Sequence, residues 1–171
     1  MIKTLLFLWE IEYNVFVIFM KNKIIYLIGA IVVMIDQLTK MFIDKSKIVI
    51  EGFFCLNPVE NQGAAWSIFN NQTIFLISIS LVILVVLFRY QVFFKMNKRN
   101  KIAFGLVYGG LLGNLLDRVL FGYVRDFLDF TIFGYNYPIF NLADTCLVIG
   151  VILLIIAIFK GEDKLEKNHN K

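Results

Sequence analysis

The stretch IIYLIGAIVVMIDQLTKMF, residues 24–42, decides the fold. It opens with twelve uncharged residues and ends in a polar cluster, Asp36, Gln37 and Lys40. A run of about 20 mainly apolar residues is long enough to cross a bilayer as a helix. A charge within such a helix costs about 2.5–3.5 kcal/mol on insertion scales, so ionisable residues there point to function by default. Asp36 and Lys40 stand at i and i+4 and share a helix face. Two readings of the pair are open: a neutralising structural bridge, or membership of a polar site.

The pattern extends along the chain. Three more apolar segments lie at 74–88 with flanks, 102–120 and 140–159. Of the 171 residues 59% are hydrophobic, and the mean hydropathy is +0.75. Soluble domains lie nearer about 45–50%. The expectation is an all-α integral membrane protein of four transmembrane helices, with no room for a separate soluble domain. Polar residues mark one end of three spans: the first as above, the third at Asn114, Asp117 and Arg118, the fourth at Asn141 and Asp144. The second carries only Ser78 and Ser80.

Lys and Arg orient the spans. Eleven lie on one side: Lys21 and Lys23, then Arg89, Lys95, Lys98, Arg99 and Lys101, then Lys160, Lys164, Lys167 and Lys171. Four lie on the other: Lys45, Lys47, Arg118 and Arg125. The positive-inside rule predicts both termini in the cytoplasm and the polar helix ends at the outer face of a multi-pass membrane protein. The net charge of +4 follows the span ends. No basic patch with interleaved aromatics is present, so nucleic acid is not an expected partner. Cys55 and Cys146 form no CxxC and the single histidine, His169, lies in a polar tail, so no metal site is expected.

The connections add detail. IVIEGFFCLNP, residues 48–58, reads as one or two short strands of a small β-sheet on the outer face. Beyond it, Gly63, Ala64 and Ala65 permit close backbone approach and Trp66 suits an interfacial anchor. Residues 121–139 read as an aromatic segment at headgroup depth, so a short loop or helix accompanies the sheet. The chain divides into an N-terminal extension, 1–19, a membrane domain, 20–160, and a polar cytoplasmic tail, 161–171. Met20 followed by Lys21, Asn22 and Lys23 resembles a fresh start, and translation beginning there is the favoured reading of the extension.

Two constellations stand out. GGLLGNLLDR, residues 109–118, carries a glycine face suited to close helix packing, in a dimer or within the chain, beside Asn114, Asp117 and Arg118. Asp126, in GYVRDFLDF, and Asp144, in NLADTCLVIG, lie at the same predicted end. Two carboxylates in apolar surroundings share a proton, and so supply a general base and a general acid. The alternative is separate helix capping and solvation. Three classes of function are compatible: a membrane aspartic hydrolase, a proton-coupled transporter, and a non-catalytic assembly factor.

DQLTK (36–40), NQGAAWS (61–67), GNLLDR (113–118), GYVRDF (122–127) and FNLADT (140–145) together resemble the five ordered motifs of the lipoprotein signal peptidase (signal peptidase II) family. The resemblance runs from about Met20 to Lys160. Trp66 stands where phenylalanine is more usual, and residues 1–19 match nothing in the family pattern. The resemblance implies an aspartic endopeptidase of the bacterial cytoplasmic membrane. Its substrate would be a prolipoprotein carrying diacylglycerol on its cysteine, cut on the N-terminal side of that residue. It further implies Asp126 and Asp144 as catalytic residues and Asn61, Asn114, Arg118 and Asn141 as a polar, substrate-binding shell. Asp36, Lys40, Gly110, Asp117 and Ala143 are implied to be structural. No metal or cofactor is implied; membrane lipid is an expected partner, the chain is expected to be a monomer, and globomycin-type cyclic peptides are expected to block the site.

Overall fold

The computed structural model describes residues 22–63, 69 and 72–163. The expectations for residues 1–19, for Ala64, Ala65 and Trp66, and for the tail beyond Asp163 lie outside the described residues. Four helices form the body: α1 (Lys23–Phe42), α2 (Thr73–Tyr90, continued by a 3-10 turn, Gln91–Phe93), α3 (Lys98–Phe121) and α4 (Leu142–Phe159). All four are long and apolar enough to cross a membrane.

α3 is the hub. Half of its spanning window is buried, against 11% for α2. The cause is its small residues. Lipid gives no hydrophobic drive between helices, so association depends on close packing. Gly105, Gly109 and Gly113 face α1. A Cβ on them would come within 2.6 Å of Ile28, 2.5 Å of Val32 and 2.7 Å of the Asp36 carboxylate. Gly110 faces α4, where a Cβ would collide with the carbonyl of Ala143. The glycine face is thus occupied within the chain.

A four-stranded antiparallel sheet caps one end, in the order β1 (Lys47–Ile50), β2 (Phe54–Asn61), β3 (Val124–Ile132), β4 (Tyr135–Asn136). The strands expected in 48–58 are present as β1 and β2. The reading of 121–139 as an aromatic loop is corrected: its first part is β3, the longest strand. Gly122, at φ +83°, ends α3 in the left-handed region and turns the chain into that strand. Val, Phe, Thr and Ile then suit the pleated, half-buried surface. Stacked rings hold it, with Phe54 and Phe130 centroids 4.5 Å apart and Phe130 and Phe140 5.8 Å apart. The aromatic residues therefore knit the sheet to the start of α4.

Candidate active site

The site forms where the C-terminal ends of α1 and α3, the N-terminal end of α4, and strands β2 and β3 meet. It contains two groups of carboxylates.

The first group lies between α1 and α3. Asp36, Lys40 and Asp117 are all buried. Lys40 Nζ lies 2.8 Å from Asp36 Oδ2, 3.2 Å from Asp117 Oδ2 and 3.1 Å from Asn114 Oδ1, which uses all three ammonium donors. Asp117 also receives Arg125 Nη2 on Oδ1 at 2.7 Å. Asp36 Oδ1 accepts the Ala143 N–H at 3.0 Å, so α1 caps the first turn of α4. The spacing of Asp36 and Lys40 left two readings; the structure makes them an ion pair in a supporting network.

The second group lies between β3 and α4. Asn141 is the N-cap of α4 and forms a capping box with Asp144. Its Oδ1 accepts the Asp144 N–H at 2.9 Å, and its own N–H donates to Asp144 Oδ2 at 3.2 Å. The side-chain Nδ2 of Asn141 donates to Asp126 Oδ1 at 2.7 Å and to Asn114 Oδ1 at 3.0 Å. Asn61 Nδ2 holds Asp126 Oδ2 at 2.8 Å, and Asn114 Nδ2 holds Asp144 Oδ1 at 2.7 Å. Lys40 dictates the orientation of Asn114. An ammonium only donates, so it meets Oδ1 and turns the amide nitrogen toward Asp144.

Both aspartates open on one cavity of about 950 Å³. Its polar wall includes Asn61, Asn114 and Arg118; its apolar wall includes Leu111, Leu147, Val148 and Tyr137. Arg118 Nη2 donates to the Gly63 carbonyl at 3.0 Å, tying the cavity wall to the end of β2. None of the ion pairs among the described residues involves Asp126 or Asp144. Burial pushes the Asp126 carboxyl up to about 6, the neighbouring Asp144 pushes in the same direction, and hydrogen bonds from Asn61 and Asn141 oppose both.

Sequence reasoning places Asp126, Asp144, Asn61, Asn114, Arg118 and Asn141 together; in the structure five of them line this cavity and Asn141 lies buried behind it, bonded to Asp126 and Asn114. Gly110 and Ala143 touch beneath it, where α3 and α4 cross. Helix capping and the paired carboxylates stood as alternatives for Asp144; its side chain closes the capping box and also lines the cavity that Asp126 lines. Gln37 and Arg125 were assigned no role in the site. The structure links them, Arg125 Nη2 lying 2.7 Å from Gln37 Oε1. Their signal was adjacency: Gln37 sits inside the polar end of the first span, and Arg125 precedes Asp126. Asp129 is three residues from Asp126, so it points to the other strand face. There it accepts from Asn57 Nδ2 at 3.0 Å.

The family model described as signal peptidase (SPase) II matches residues 28–160. The chain belongs to the signal peptidase II family. Membership makes it a peptidase of the aspartic class and sets aside the transporter and assembly-factor readings. A lipoprotein signal peptidase from a bovine strain of Staphylococcus aureus is 43% identical over 153 residues, covering 82% of this chain and 91% of that one. Another from Staphylococcus aureus is 44% identical over 151 residues, with the same coverage. Two solved structures, described as a bacterial membrane enzyme determined by the in meso method, share the fold. The one at 2.3 Å has a TM-score of 0.71 at 41% identity, covering 85% of this chain and 90% of that one. The one at 1.9 Å has a TM-score of 0.68 at 43% identity, covering 78% and 91%. The signal peptidase II chain described here is thus a membrane enzyme with four candidate spans.

Proposed function

We propose that Asp126 and Asp144 are the catalytic pair with which this signal peptidase II removes the signal peptide from prolipoproteins. The observation that carries the assignment is the bridge through Asn141. One amide side chain donates to Asp126 and accepts from the backbone N–H of Asp144, so the two carboxyl groups are held at one cavity.

The chemistry follows from that pairing. One carboxylate takes a proton from water as the water oxygen attacks the scissile carbonyl. The partner, protonated, donates to the carbonyl oxygen. The tetrahedral intermediate then collapses, the C–N bond breaks, and the amine leaves with a proton. The shared proton belongs to the pair rather than to either residue. The raised carboxyl of Asp126 suits this, because its proton is then held up to about pH 6 rather than lost near pH 4. Asn61, Asn114 and Asn141 orient the pair, and Arg118 shapes the wall that meets the substrate.

The substrate is a prolipoprotein whose cysteine carries diacylglycerol, cut on the N-terminal side of that cysteine. The cavity supports this, since a polar wall at the helix ends faces an apolar wall on α4 suited to the acyl chains. The sheet end lies at the outer face of the bacterial cytoplasmic membrane, with both termini in the cytoplasm. The eleven-to-four bias of Lys and Arg supports that orientation. A single chain suffices, because both aspartates and all three asparagines come from it.

Cleavage of a diacylglyceryl-modified prolipoprotein by the purified enzyme, read by gel shift, tests the pair. Asp126→Asn and Asp144→Asn are each expected to lower the rate by about 10²–10⁴-fold. Full cleavage by either variant rules out the assignment.

A further inference from the structure

The catalytic reading leaves Arg125 without a task, yet four contacts hold its side chain. Nη2 lies 2.7 Å from both Asp117 Oδ1 and Gln37 Oε1, and Nε lies 3.3 Å from Asp117 Oδ2. The guanidinium carbon sits 4.6 Å from the ring centroid of Phe121. In addition, the backbone N–H of Arg125 donates to Asp117 Oδ2 at 2.9 Å. The receiving side is prearranged. Gln37 Nε2 donates to Asp117 Oδ1 at 3.0 Å and to the Gly113 carbonyl at 3.2 Å, which leaves Gln37 Oε1 facing Arg125. Three elements, α1, α3 and β3, are joined at the residue that precedes Asp126.

The two aspartates reach the cavity from different elements. Asp144 is held by its capping box and by Asp36 on the adjacent Ala143 N–H. Asp126 is paired through its backbone with Val59 of β2, which belongs to the same sheet. Strand pairing fixes Asp126 within the sheet but does not set the sheet against the helices. Backbone bonds between β3 and Phe140 do so on the α4 side, and the Arg125 contacts do so on the side of α1 and α3.

We propose that Arg125, gripped by Asp117 and Gln37, is a positioning residue that seats β3 on the bundle and so sets the Asp126 carboxyl against Asp144. The proposal rests on the catalytic reading of that pair. The planar guanidinium matters, because its fork meets Asp117 through two nitrogens and Gln37 through one. Arg125 carries out none of the chemistry itself.

A simpler role must be separated from this one. Asp36 and Asp117 face Lys40 and Arg125, so Arg125 also balances buried charge. Four forms of the full-length enzyme in detergent separate the roles: wild type, Arg125→Lys, Arg125→Gln, and the double variant Arg125→Gln with Asp117→Asn. Each is assayed for kcat, KM and Tm with the modified prolipoprotein. Misplacing a reacting group by about 1 Å can cost about 100-fold. Arg125→Gln is therefore expected to lose roughly 10- to 100-fold in kcat with little change in KM. Arg125→Lys keeps the charge and loses the fork, and its kcat is expected to stay well below wild type. The double variant restores neutrality; its Tm is expected to recover while its kcat does not. Wild-type kcat in Arg125→Gln or Arg125→Lys overturns the proposal, as does recovery of kcat together with Tm in the double variant. Asp126→Asn runs beside them. If it cleaves, the catalytic reading falls and takes this proposal with it. If it is inactive while Arg125→Gln is fully active, only the positioning role falls.

Discussion

Asp36 and Asp117 share a polar band with Asp126 and Asp144, and the two pairs are treated oppositely. The first pair is matched by cations, Lys40 between them and Arg125 on Asp117. The second pair is held by neutral amides from Asn61, Asn114 and Asn141. A buried carboxylate beside a cation is locked in its charged form, which serves structure. A carboxylate held by amides keeps its orientation and can still take up a proton. On the proposed reading the difference separates a scaffold from a reactive pair, three of the four aspartates being buried and Asp144 half-buried.

The widest departure should come from attacking the scaffold. Lys40→Met leaves Asp36 and Asp117 buried with one cation fewer between them. Removing one partner of a buried ion pair typically costs about 3–5 kcal/mol. A loss of that order is expected in denaturant titrations of the detergent-solubilised enzyme. The double variant Lys40→Met with Asp36→Asn should lose less than the sum of the single changes. Simple additivity would mean that the two charges are not coupled.

The reactive pair should respond in the opposite sense. The folded Asp126 carboxyl is raised to about 6, above its ordinary value of 3.8. The folded state therefore holds this proton more tightly than the unfolded chain does. The resulting stability is fully present below about pH 4 and is lost as pH rises through about 6. For a side chain only 3% exposed the loss is about 3 kcal/mol. Asp126→Asn removes the ionisation, so that variant should be more stable than wild type at pH 7.5 and nearly equal to it at pH 4. Thermal melts at both pH values measure this, and a less stable Asn variant at pH 7.5 would contradict it. Such a result links activity to a local cost in stability.

The smallest effect belongs to Asp129, on the opposite face of the same strand. Its partner is Asn57, and it does not line the cavity. Asp129→Asn should leave cleavage near wild type and change stability by no more than about 0.5 kcal/mol, as substitutions outside buried networks usually do. A loss of activity comparable to that of Asp126→Asn would erase the distinction between the two aspartates.

Much of this was legible in the residues. Span lengths, apolar runs and the polar ends of three helices are local properties, and the four helices begin and end within a few residues of where the apolar pattern puts them. Strands β1 and β2 were legible in the alternating β-branched and aromatic residues after Asp44. Strand β3 was not. Its aromatic residues suit an interfacial loop equally well, and only pairing with the remote strand β2, where Val59 lies opposite Asp126, makes them a strand. The ordered motifs marked five residues that line the cavity and Asn141 behind them, while for Gln37 and Arg125 the sequence offered only adjacency to marked residues.

By itself the sequence determined that this chain has four segments able to cross a membrane, with carboxylates at the ends of three of them, because length and polarity need no partner to be read. Tertiary structure decided which carboxylates meet cations and which meet amides. That choice depends on distances between elements remote in the chain, such as Lys40 to Asn114 and Asn141 to Asp126, and hydrogen bonds at such distances form only once the helices and the sheet have packed.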